Sequence, residues 1–310
     1  VFVAALERLL HAPGAFLPAF EPLLTDDDPW VRALARLHLG MMRIVLGYEG
    51  READTDLEAA LAEFRVLGER WGMSFALTEL ANRIAMRGEF ARACEHYEQA
   101  IAVVTELGAL DDVVSMRSRQ AQLYWLLGDE QSSATAMAEA QRSAQRVAWP
   151  NALAELALAR AELARWSGDA EQAHRQLDVA TAMLGDSTER AGVRAVMQDL
   201  LGYLAEDLEE VRAHRVAASN AAFESGYAPL IATVLVGIAD LALRGERHEH
   251  AARLLAASAC VRGLTDRSQP DVDRIERSAR RSLGDTRFTE ATQEGARASW
   301  RELVAVTLAP

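Results

Sequence analysis

The sequence predicts an all-α, right-handed superhelical solenoid of helix hairpins, and three observations carry that prediction. Gly88, Gly128 and Gly168 recur at a step of 40 residues, each followed by an acid, Glu89, Asp129 or Asp169. Small residues keep the step before the glycine at Ala81, Ala121 and Ala161. They keep it after the glycine at Ala93, Ser133 and Ala173, and again at Ala100, Ala140 and Ala180. Tyr97, Met137 and Leu177 place three bulky apolar side chains in one register between them. A fixed period of this size marks a helical repeat array, in which no unit buries its apolar side alone.

Within one unit the spacing gives helix, tight turn, helix. Ala76, Leu77, Leu80, Ala81, Ile84 and Ala85 fall three and four residues apart, on one helical face. Arg87-Gly88-Glu89 breaks the pattern, and glycine supplies the left-handed backbone that ends a helix. Phe90, Ala93, Cys94, Tyr97, Ala100 and Ile101 restart it on a second helix. Turns are expected at Gly88, Gly128, Gly168 and Gly245, with Ala93, Ala100, Ala140, Ala173 and Ala180 buried at helix crossings. One step back the register gives Ala53, Leu57 and Ala60. Forward it gives Ala213, Ala217 and Asn220, and 39 residues on, Ala252, Ala256 and Ala259.

Leu77, Leu80, Ala81, Ile84, Gly88, Ala93, Tyr97 and Ala100 together resemble the tetratricopeptide repeat (TPR). Its usual period is about 34 residues, so a TPR-like hairpin with a period of about 40 implies longer helices or turns. Ser133 and Asn220 depart from the small apolar pattern. The resemblance implies an architecture and does not choose among the tasks such arrays perform.

Composition narrows the function. Half of the 310 residues are hydrophobic and 25% are charged, an ordinary balance for a folded soluble chain. Every basic residue is arginine, which excludes a P-loop, whose lysine reaches the phosphates. The net charge of −13 argues against direct nucleic-acid binding by this fragment. No apolar run has membrane-spanning length and no leader opens the sequence, so no membrane partner and a cytoplasmic location are expected. Cys94 and Cys260 read as small core residues on second helices, since their spacing supports neither a disulfide nor a metal site. No nucleophile elbow, dinucleotide loop or metal motif appears, and the seven histidines are scattered. No catalytic residue, metal or cofactor is therefore expected, and an enzyme is the least supported class.

Along the chain, residues 1–10 carry a helical stripe and residues 16–24 fall near a second helix, as if the chain began inside a repeat of a longer parent. In Asp26-Asp27-Asp28-Pro29, Asp28 reads as a helix cap and Pro29 as the first helical residue. Pro150 and Pro229 start later helices in the same way. The charged stretch 51–56 reads as a solvated turn and first helical turn. Residues 248–264 complete a second helix; 272–283 form an arginine-rich helix closed by Gly284, and 288–308 a final amphipathic helix. This divides the chain into a repeat array, 1–263, and capping helices, 264–310.

The run AARLLAAS at 251–258, Pro270, and the segment RRSLGDTRFTEATQEGARASWRELVAVTL resemble the C-terminal end of large actinobacterial transcription activators of the antibiotic-regulatory-protein and large LuxR types. The resemblance implies that this is the sensor region of a multidomain regulator whose DNA-binding and ATPase modules lie elsewhere. Its partner would be a peptide, a protein, a small effector or another domain of the parent. The alternative is a free-standing TPR peptide-binding scaffold.

Repeat arrays bind on the concave face lined by first helices. The position after the small residue is Asn82, Gln122 and Glu162, again at a step of 40. With Trp125 and Trp166 as flat apolar walls, these residues are the expected ligand site. Glu162 and the acidic body favour a basic or amine-bearing partner.

Overall fold

The computed structural model describes residue 18 and residues 20–48 and 50–309. Fourteen α-helices follow one another among them, with no strand. They are α1 (Pro29–Val45), α2 (Glu52–Leu67), α3 (Arg70–Met86), α4 (Phe90–Leu107), α5 (Leu110–Leu126), α6 (Glu130–Val147) and α7 (Pro150–Trp166). After these come α8 (Ala170–Leu184), α9 (Ala191–Leu204), α10 (Leu208–Ser225), α11 (Ala228–Arg244), α12 (His248–Arg262), α13 (Pro270–Arg297) and α14 (Trp300–Leu308). Successive helices pack as hairpins and each hairpin stacks on the next, which makes an all-α solenoid. The N-terminal stripe at 1–10 lies outside the described residues. Phe20 is buried, and Glu21–Thr25 is a 3-10 turn.

Local chemistry sets the helix ends. The Asp28 carboxylate accepts the Trp30 amide at 2.9 Å with Pro29 at the first helical position. Asp129 and Asp169 cap α6 and α8 in the same manner. Gly88, Gly128 and Gly168 all take positive φ at their turns. The fourth turn differs: Gly245 has φ −85°, and the neighbouring Glu246 takes the left-handed position instead.

All five alanines expected at crossings are fully buried. Ser133 keeps its place because its hydroxyl donates to the Ala121 carbonyl at 2.8 Å across the hairpin. Ala100→Leu should therefore overpack a tight crossing and cost about 1–3 kcal/mol in urea unfolding. A variant as stable as the parent would refute the crossing geometry.

The register beyond Ala180 needs correction. Ala213 and Asn220 are exposed and Ala217 only half-buried. α9 has 14 residues against 17 in α7, and α10 starts 38 residues after α8. With that step the inward positions are Val211, Arg215 and Ala218, all fully buried, and 40 further on Ala251, Leu255 and Ser258. Arg215 thus stands where Tyr97, Met137 and Leu177 stand in earlier hairpins. Asp199 stands where Ala161 does.

Three other expectations fail for identifiable reasons. Asp54 and Asp56, in the stretch read as solvated, are buried because Asp54 pairs with Arg83 and Arg87 and Asp56 with Arg43. Cys94 is buried, but Cys260 is half-exposed, since it lies on the side of α12 nearer a shallow cleft against α13. The final helix at 288–308 is two helices: α13 runs through a break at Gly284, at φ 75° and ψ 164°, and ends before Ala298, whose extended backbone separates it from α14.

The array curves far enough to meet itself. A Cβ on Gly47 would strike the Val261 carbonyl, and one on Gly263 the Tyr48 carbonyl, so the α1–α2 turn sits against the end of α12. The segment 263–269 then crosses the inner face. There the Arg267 amide donates to the Met86 carbonyl at 2.8 Å, and Arg119 reaches the Ser268 hydroxyl. α13 and α14 pack back on α11 and α12.

Candidate functional site

The inner face is lined by first helices, because the small residues at their other face face the hairpin partner. On it Asn82 accepts from the buried Tyr97 hydroxyl at 2.6 Å. Gln122 donates to the Glu162 carboxylate at 2.7 Å and accepts from Arg119 at 2.9 Å. The matched register therefore joins Gln122 to Glu162 directly. Trp125 and Trp166 stack at a tilt, 5.4 Å between ring centres.

These five residues line three adjoining recesses. One of about 280 Å³ holds Asn82, Gln122 and Glu162 together with Glu155 and Ser118. A second, of about 330 Å³, holds Asn82, Glu162 and Trp166 and is walled by Tyr227 at the N-cap of α11 and by Ser268 and Gln269 of the crossing segment. The third, of about 360 Å³, holds Trp125 and Trp166 with Arg165, Tyr203 and Arg274. Segment 263–269 and the meeting of α1 with α11 turn the expected open groove into cavities.

Burial sets the electrostatics. Loss of solvent raises the Glu162 carboxyl above its ordinary range, against the pull of Arg165, Arg119 and the Gln122 hydrogen bond. Glu79, half-buried, is raised by the same cause, partly offset by a hydrogen bond from Asn82. A carboxyl raised in the folded state is a liability once ionised, absent below its unfolded value of about 4.5 and growing as pH rises above it. The Glu162→Gln variant should accordingly gain stability relative to the parent as pH rises from about 4.5 towards neutrality. Melting curves of both proteins across that range check this; a constant difference would contradict it.

Sequence reasoning missed the adjoining ionic cluster. Arg215, with no exposed surface, pairs with Asp199 and donates to the Asp199 carbonyl at 2.8 Å. The Tyr203 ring lies between the Arg165 and Arg215 guanidinium carbons, at 4.2 and 4.0 Å from its centre. Asp240 binds Arg244 at 2.9 Å and Arg274 at 2.6 Å, and Asp271 binds Arg165 at 2.8 Å. Desolvation pushes the Asp199 carboxyl up to about 6 despite Arg215. Arg244 also donates to the Tyr203 and Ala205 carbonyls, satisfying the end of α9, whose cap is Ala205 instead of glycine. The signal available in the sequence was a shortened step, which puts Asp199 and Arg215 on inward positions.

Among the described residues no group of three His, Cys, Asp or Glu side chains could hold a metal, and no helix is long and apolar enough to cross a membrane.

No protein-family model and no curated protein matches the chain. Among solved structures, the crystal structure of yeast Tom70 is similar over 92% of this chain, at 16% identity and a TM-score of 0.48. The match spans 62% of the length of that structure.

Proposed function

We propose that the chain is a non-catalytic sensor and interaction module whose inner face, at Asn82, Gln122, Trp125, Glu162 and Trp166, takes an effector or a partner segment. One observation carries the reading: polar side chains from three successive hairpins converge with two tryptophans on one recessed surface. Convergent polar groups in a concavity are the physical requirement of a binding site. In this reading residues 1–263 are the repeat array and 264–310 its capping helices. The resemblance of 251–308 to large transcription activators supports a place beside DNA-binding and ATPase modules in one regulator, with those modules or a separate protein as partners and a cytoplasmic setting.

Two experiments test this. The complete reading frame should encode a helix-turn-helix and a P-loop; their absence would remove the regulator and leave a free-standing scaffold. In cells, the Gln122→Ala/Trp125→Ala double variant should abolish the effector response of the parent regulator while its circular dichroism stays unchanged. A normal response would move the site off the inner face.

A further inference from the structure

Glu79 and Glu162, both half-buried on the inner face, form no ion pair among the described residues, and Gln122 donates to Glu162. The guanidinium groups around them are mostly engaged elsewhere. Arg83 is on Asp54, Arg262 is 3.5 Å from Asp266, and Arg165 is on Asp271. Arg119 alone keeps a charge without an acidic partner, since it donates to Gln122 and Ser268. Two half-buried carboxylates therefore face one uncompensated cation, in a setting where charge interactions are stronger than in water.

A second, independent observation points to an occupant. Ser118 is 3% exposed and its hydroxyl has no hydrogen-bond partner, although it lines the 280 Å³ cavity. In the 330 Å³ cavity the Trp166 indole N–H and the Gln269 side-chain oxygen are buried without partners. Buried polar groups are ordinarily satisfied, so each of these needs an account. The two cavities share Asn82, Arg119 and Glu162.

We propose that these joined cavities bind a small organic amine, its ammonium taken by Glu79 and Glu162 and its body lying against Trp166. The inference deepens the inner-face reading above and rests on it, independently of any regulator context. An ammonium restores the missing charge balance and supplies donors to the carboxylates and to Gln269. The Trp166 N–H is itself a donor, so its partner must be a water or an acceptor elsewhere on the ligand. The Trp166 face attracts a cation as well. Size selects a small molecule over a peptide: segment 263–269 crosses the face, and the space left is of small-ligand scale.

The test is calorimetric titration of the intact protein with 1,4-diaminobutane, agmatine and 2-phenylethylamine. Controls are 1,4-butanediol, succinate and an acetylated tetra-arginine peptide. Saturable one-to-one binding of at least one amine is expected, with the diol and succinate silent. Glu79→Gln and Glu162→Gln should each weaken it tenfold or more. Glu162→Gln keeps the acceptor for Gln122, so it decides the matter if Glu79→Gln folds poorly. Peptide binding without amine binding would overturn this inference and leave the inner-face reading intact. Silence of all probes would count against both and leave water as the occupant. Diol binding equal to amine binding, or affinity unchanged in both Gln variants, would also overturn it.

Discussion

Arg215→Ala should destabilise the protein by about 3–5 kcal/mol, because it strands a buried carboxylate rather than merely deleting a contact. Asp199 is 5% exposed and already held with its carboxyl raised to about 6. Without Arg215 it keeps only the more distant attraction of Arg165 while Glu162 and Asp271 repel it. Asp240 loses less, since Arg244 and Arg274 remain. The repeat itself suggests the repair. Earlier hairpins carry Ala161 and Leu177 at the matching positions, both buried. The double variant Asp199→Ala/Arg215→Leu should recover most of the loss, as replacement of buried ion pairs by apolar residues often does. Urea unfolding of parent, single and double variants measures the coupling. A double variant as unstable as Arg215→Ala would show that the pair does not replace an apolar contact. Gly202 and Gly237 leave room for this guanidinium, since a Cβ on either would press against it.

The case of Arg215 shows where sequence reading succeeds and where it stops. Hairpins with a glycine turn announce themselves, because Gly88, Gly128 and Gly168 meet a backbone demand that few other residues satisfy. Helix α9 is shorter than its counterparts and ends without a glycine cap, and its last carbonyls are satisfied by Arg244 from the next hairpin. A tertiary partner took over what a local signal does elsewhere, so the period slipped unseen. The same holds for Asp54, whose burial depends on Arg83 arriving from α3. At the candidate site, the register of Asn82, Gln122 and Glu162 was legible, and it places Gln122 against Glu162. The crossing of segment 263–269 was not. It depends on a hydrogen bond between Arg267 and Met86, 181 residues apart, and on curvature that no single repeat encodes.

That curvature supplies the second large expected effect. Gly263→Ala should cost about 2–5 kcal/mol, joining the penalty of a left-handed non-glycine residue to that of a forced contact. Gly263 has φ 85°, and its added Cβ would meet the Tyr48 carbonyl and lie 3.1 Å from the Gly47 oxygen. Backbone groups cannot rotate aside as a side chain would. Relief is therefore expected through separation of the α1–α2 turn from the end of α12, with the hairpin cores intact. Gly263 also begins the segment that walls the inner cavity, so its displacement should loosen the Arg119–Ser268 contact. Small-angle scattering should show a larger radius of gyration for Gly263→Ala, with helical content by circular dichroism unchanged. Gly108→Ala is the control: it has φ 76° but open space around the added Cβ, so it carries the backbone penalty without the clash. Equal losses of stability and equal radii in the two variants would show that the seam between α1 and α12 contributes nothing. A larger loss and expansion confined to Gly263→Ala would make ring closure the feature that converts an open groove into a cavity.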